Sequence, residues 1–81
     1  MVKVGDVVVW NRGRLGVNAK TIAHNDKAID HMAHRLGEGP FIILERGAGH
    51  AKRPFHFETS VRLDRPLEDQ PWVCEEYVRE G

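Results

Sequence analysis

The chain has 81 residues, 41% of them apolar and 30% charged, with a formal net charge of zero. That is too short for two separate cores, too apolar for disorder, and too neutral for strong non-specific binding to nucleic acid. A lone cysteine, Cys74, excludes an internal disulfide, no signal peptide is recognisable, and no apolar run approaches the ~20 residues of a membrane helix. The expectation is therefore one cytoplasmic domain over residues 1–81, stable by roughly 4–12 kcal/mol.

In chain order, VKVGDVVVW reads as strand, turn, strand, with Gly5-Asp6 as the turn and Val7 to Trp10 as the firmer strand. Residues 11–18 read as loop, and 19–24 fit no single pattern. Residues 26–36 form the one predicted helix. At about 100° per residue, Ala28, Ile29, Met32, Ala33 and Leu36 share one face, while Lys27, Asp30, His31 and His34 lie opposite. Asn25 is the predicted N-cap, and Gly37 the residue that ends the helix.

Gly37 to Pro40 breaks the chain. FIILE, 41–45, is nearly all apolar, as a strand covered on both sides would be. Residues 46–54 read as loop. Phe55, Phe57, Thr59, Val61 and Leu63 then alternate with His56, Glu58, Ser60 and Arg62, which predicts a strand over 55–63, long enough to carry a bulge. Residues 64–71 are an acidic, proline-containing loop. Trp72 to Cys74 reads as another strand, and EEYVRE as one helical turn followed by a short strand.

Short strands in so small a chain are expected to close on themselves. The predicted fold is mainly β with one helix: a five-stranded barrel with the helix inserted between the first and second strands and capping one open end. VGDVVVW, GPFIILE, VRL and PWVCEEYVRE together resemble the skeleton of the Src-homology-3-like small barrels. More narrowly, they resemble small proteins of that fold from bacteria and their phages that carry no assigned role. These pieces cover about half the chain and imply fold more than function. VGDVVVWNRGRLG also resembles the opening of a ribosomal-type barrel motif that binds RNA.

Charge is uneven. Residues 1–57 hold nine Lys or Arg against five Asp or Glu, and residues 58–81 hold three against seven. Either the two halves interleave in one barrel, or the molecule has a basic and an acidic face.

Catalytic residues are not expected. Cys74 is followed by Glu75 and Glu76, which disfavour a thiolate. Ser60, the single serine, alternates outward with charged neighbours. Glu68-Asp69 and Glu75-Glu76 have no histidine or phosphate loop beside them and read as solvated charge. His31 and His34, with His24 and Asp30 nearby, have a spacing that zinc can use. Without a second paired ligand set, a solvated helix face is the better reading, and no metal or cofactor is expected.

The leading reading is a non-enzymatic interaction module that binds a protein, with His31, His34, Trp72 and Tyr77 as contact candidates. The alternative is a nucleic-acid-binding barrel that grips phosphates through Arg12, Arg14, Lys20, Lys52 and Arg53, with Trp10, Phe55 or Phe57 stacking on bases if exposed. Exposed strand edges would also be compatible with a homodimer.

Overall fold

A computed structural model describes residues 2–48, 59–64 and 72–81. Its elements in chain order are β1 (Val7–Trp10), α1 (Ala19–Leu36), β2 (Phe41–Ala48), β3 (Thr59–Leu63), β4 (Trp72–Cys74), a 3-10 turn (Glu75–Tyr77) and β5 (Val78–Glu80). The strands form one antiparallel sheet in the order β4-β3-β2-β1-β5, with the helix inserted between the first two strands. All five of these strands, and the terminal turn, fall on segments that the sequence reads as such, with β2 running past its expected end. Residues 2–4 do not form a strand. Asp6 N–H bonds the Lys3 carbonyl and Lys3 N–H bonds the Asp6 carboxylate, which makes Lys3 to Asp6 a tight turn. Gly5 has a φ of 92° in that turn, a conformation that suits glycine because it lacks a Cβ.

The expected closed barrel is not present: β4 and β5 are the two ends of the strand order and do not pair. Even so, the sheet cannot be flat. Four inter-strand steps would separate the edges by about 19 Å. Yet the 3-10 turn joins β4 to β5 with three residues, and such a turn advances only about 2 Å per residue. The sheet must curl until its edges approach.

The bend is made in β2. Phe41 and Ile42 pair with β1, whereas Ile43 to Ala48 pair with β3, and the register shifts between Ile43 and Glu45. An extra residue at such a point bends and twists the strand. The bulge therefore falls in β2, and β2 itself runs on through Arg46, Gly47 and Ala48, which the sequence reads as loop. Residues 55–58 of the expected long strand lie outside the described residues, as do Lys52, Arg53 and the acidic pair at 68–69.

Inside the curl lies one apolar cluster. It joins Val8 and Trp10 of β1, Phe41 and Ile43 of β2, Val61 and Leu63 of β3, Val73 and Cys74 of β4, Tyr77 and Val78. The helix adds Ile29, Ala33 and Leu36, with Met32 partly buried against them, so its apolar face is the predicted one. Trp10 and Phe41 meet edge-to-face with ring centroids 5.2 Å apart, a favoured aromatic geometry. The Trp10 indole N–H donates to the Gly37 carbonyl at 2.8 Å. One side chain thus fills the core and fastens the end of the helix to β1.

The helix is 18 residues long and begins at Ala19, seven residues before the predicted start. Its cap is Asn18 rather than Asn25. The Asn18 side chain accepts from Thr21 N–H at 2.9 Å, and the Thr21 hydroxyl accepts from Asn18 N–H at 3.1 Å. This reciprocal pair satisfies two amide groups that a helix start leaves without partners. Asn25 instead donates to the Leu15 carbonyl, which holds the preceding link against the helix.

Candidate interaction surfaces

The outer face of the β1–β2 ladder is apolar. Along β1, Val8 and Trp10 point into the core, so Val7 and Val9 point away from it. Along β2, Phe41 and Ile43 are buried, and Ile42 and Leu44 are exposed. Val7 and Ile42 are direct cross-strand partners and remain 48% and 43% exposed. FIILE is therefore covered on one side only, which corrects the expectation of a strand covered on both. The reason is packing: the helix lies against the inner face, and β1 shares an exposed outer face with β2.

A second surface runs along the helix. Lys20, His24, Lys27, His31 and His34 are all exposed. At about 100° per residue they fall within about 80° of arc. At about 1.5 Å per residue they form a line about 21 Å long. Arg35 flanks the line. Among the described residues none of these six side chains makes an ion pair or a side-chain hydrogen bond.

The acids beside this line are turned elsewhere. Arg12, in the link after β1, bonds Asp30 at 3.0 Å and grips Glu38 with two nitrogens, one of them at 2.9 Å. Paired hydrogen bonds to a charged fork are strong and directional. The Arg12 guanidinium holds the Glu38 carboxyl below the usual carboxylate range, chiefly by hydrogen bonding. Glu38, followed by Asp30, in turn raises Arg12 above the usual arginine value. Asp26 accepts from the Gly13 amide at 2.8 Å.

The nucleic-acid candidates are thus only partly brought together. Arg12 is committed to two carboxylates. Arg14 is exposed without an ion pair among the described residues, and Lys20 belongs to the helix line. Lys52 and Arg53 lie outside the described residues. The aromatic platform is absent at Trp10, which is buried.

The protein-contact candidates also divide. His31 and His34 are exposed on the helix, and Trp72 is half-buried on the edge strand β4. Tyr77 is only 9% exposed and belongs to the core, because the 3-10 turn directs it under the curled sheet. Ser60 is fully buried rather than outward-facing, and its hydroxyl has no hydrogen-bond partner among the described residues. It sits mid-sheet, between Gly47 of β2 and Cys74 of β4. Glu75 is no free surface acid. It accepts from Val2 N–H at 3.0 Å and pairs with Arg46 at 3.2 Å, with about a fifth of its side chain exposed.

Among the described residues no group of three or more His, Cys, Asp or Glu side chains could hold a metal ion. Among the same residues no helix is long and apolar enough to cross a membrane. No family model matches the chain, and neither the curated proteins nor the solved structures give a match.

Proposed function

We propose that this chain is an interaction module that works by binding rather than by catalysis, and that its partner is a protein. The observation that carries this reading is the exposed Val7–Ile42 pair, extended by Val9 and Leu44 on the same side of the sheet. Two strands hold these side chains on a rigid backbone, so a partner covers them with little ordering cost. Covering such a patch is favourable by about 25 cal/mol per Å² of apolar surface, and contiguous exposed apolar patches mark contact sites. Trp72, half-exposed on the neighbouring ladder, adds a side-chain type enriched where interface energy concentrates.

The fold itself reads best as a Src-homology-3-like small barrel with an open seam. The strand order, the bend in β2 and the three-residue turn between the edge strands support this reading. Both edge strands are three residues long, too short to template much pairing with other chains. The sheet face is therefore the better contact surface. Nucleic acid is the weaker partner class, since Arg12 is already occupied.

A photo-crosslinking residue placed at Ile42, compared with one at exposed Glu80, tests the reading in extracts of the native cell. The expected result is a discrete protein adduct at position 42 alone. Excess unlabelled protein should compete it away, and excess Val7→Lys/Ile42→Lys protein should not. Adducts of equal strength at both positions, or adducts removed by nuclease, would overturn it.

A further inference from the structure

From the helix geometry we infer that the exposed face of α1 is a second docking surface, for an acidic protein segment, and that it binds more tightly as pH falls from about 8 to about 5. The face is independent of the β1–β2 patch, so either surface can fail its test without the other.

The inference begins with spacing. Lys20, His24, Lys27, His31 and His34 recur at steps of three and four residues, which keeps them on one line of the helix. A partner helix with acids at the same steps would meet each of them in turn. Two of the five are permanent cations, with Arg35 as a third beside them. The other three are histidines, the side-chain type that changes charge between about pH 5 and 8. The row therefore joins two lysines, with Arg35 beside them, to three side chains of the type that gains positive charge in that range.

What makes the line available is the disposition of the acids around it. The charged groups near it are Arg12 and Arg14 from the β1–α1 link, Asp26 and Asp30 on the helix flank, and Arg35 and Glu38 at its end. Asp30 and Glu38 are bound to Arg12, and Asp26 to a backbone amide. Arg12 thus removes from the line the two carboxylates best placed to neutralise it. Its role here is positioning: it keeps the cations of α1 unpaired.

An acidic protein segment fits better than nucleic acid. The line is a single row, flanked by acids on the Arg12 side, and the whole chain is neutral. A short acidic helix matches the length of the row and ends with it.

The experiment is fluorescence anisotropy with a labelled, Ala-based helical peptide of about 20 residues carrying Glu at steps of three and four. A peptide of the same composition with the Glu scattered around the helix, and a single-stranded oligonucleotide of similar charge, serve as controls. At low salt the patterned peptide should bind at least about tenfold more tightly at pH 5.5 than at pH 8. Lys20→Glu/Lys27→Glu should abolish binding at both pH values. His24→Gln/His31→Gln/His34→Gln should keep the binding seen at pH 8 and lose the gain at pH 5.5. Arg12→Ala should weaken binding although Arg12 is not in the row. Circular dichroism confirms that each variant is folded, and all these positions are exposed or half-exposed. The inference is overturned if affinity is flat with pH, if the scattered peptide binds equally well, or if the oligonucleotide binds more tightly than the patterned peptide.

Discussion

At the scale of single residues, Arg12 shows how one side chain can leave the role its type suggests. In the sequence it is a basic residue in a glycine-containing loop, and a phosphate contact is the natural reading. In the fold it faces two carboxylates from the helix and its end, 18 and 26 residues away in sequence. Glu38 carries the measurable consequence. Its folded-state carboxyl titrates below the usual value. The stabilisation from the pair is therefore complete above the ordinary glutamate range and is lost as pH falls through the depressed value. Glu38→Gln should lower the melting temperature slightly at about pH 7. The difference from the parent protein should shrink as pH falls through that depressed value, where the parent carboxylate is protonated as well. A constant difference across that range would show that the pair contributes nothing through charge. Ser60 and Tyr77 mislead for a related reason. Alternation places a side chain on one face of a strand, but only the curl of the sheet decides what covers that face.

At the scale of elements, periodicity was a good guide to what is buried and a poor one to where elements begin. Ile29, Ala33 and Leu36 announce the helix because their three-four spacing is set by its interior contacts. Its first two turns carry Lys20, His24 and no strongly buried residue, so no apolar signal marks them. What fixes that start is local chemistry, the Asn18–Thr21 pair, which resembles a capping box with threonine in the place usually held by Glu or Gln. Asn18→Ala should accordingly destabilise the domain by about 1 kcal/mol, and Asn18→Gly by a few tenths. Urea denaturation measures both. The histidine line extends into those first two turns, so the helix surface was legible only from Lys27 onward. The β1–β2 patch was equally hidden, because four consecutive apolar residues in FIIL say that a strand is apolar without saying which side stays uncovered. β2 adds a further lesson. Arg46-Gly47-Ala48 has turn-like composition, yet β3 pairs with it throughout, because ladder bonds come from the backbone whatever the side chains.

At the scale of the whole molecule, the order of strands explains why both ends of the chain meet. β5 lies beside β1, and the 3-10 turn before it sits against the first residues. The Asn11 amide and side chain bond the carbonyls of Tyr77 and Glu76 from the other side. Glu75 is the centre of this closure: one carboxylate oxygen takes the Val2 amide, the other takes Arg46 of β2. It joins residues 73 apart in sequence and ties three segments of the curl in a region that is mostly shielded from water. Removing it leaves an amide and a guanidinium without their acceptor. Glu75→Ala should therefore cost about 1–3 kcal/mol. For a domain of this size that is a fall in melting temperature of about 4–8 °C per kcal/mol. Glu75→Gln keeps an oxygen for the Val2 amide but gives Arg46 no charge, so its loss should be intermediate. Glu76→Ala, one residue on and exposed, should change little, because the backbone carbonyl that Asn11 uses remains. Equal melting temperatures for Glu75→Ala and Glu76→Ala would mean that the curl is held by its apolar interior alone. The ordered series Ala below Gln below parent would mean that the two chain ends are locked by this one carboxylate.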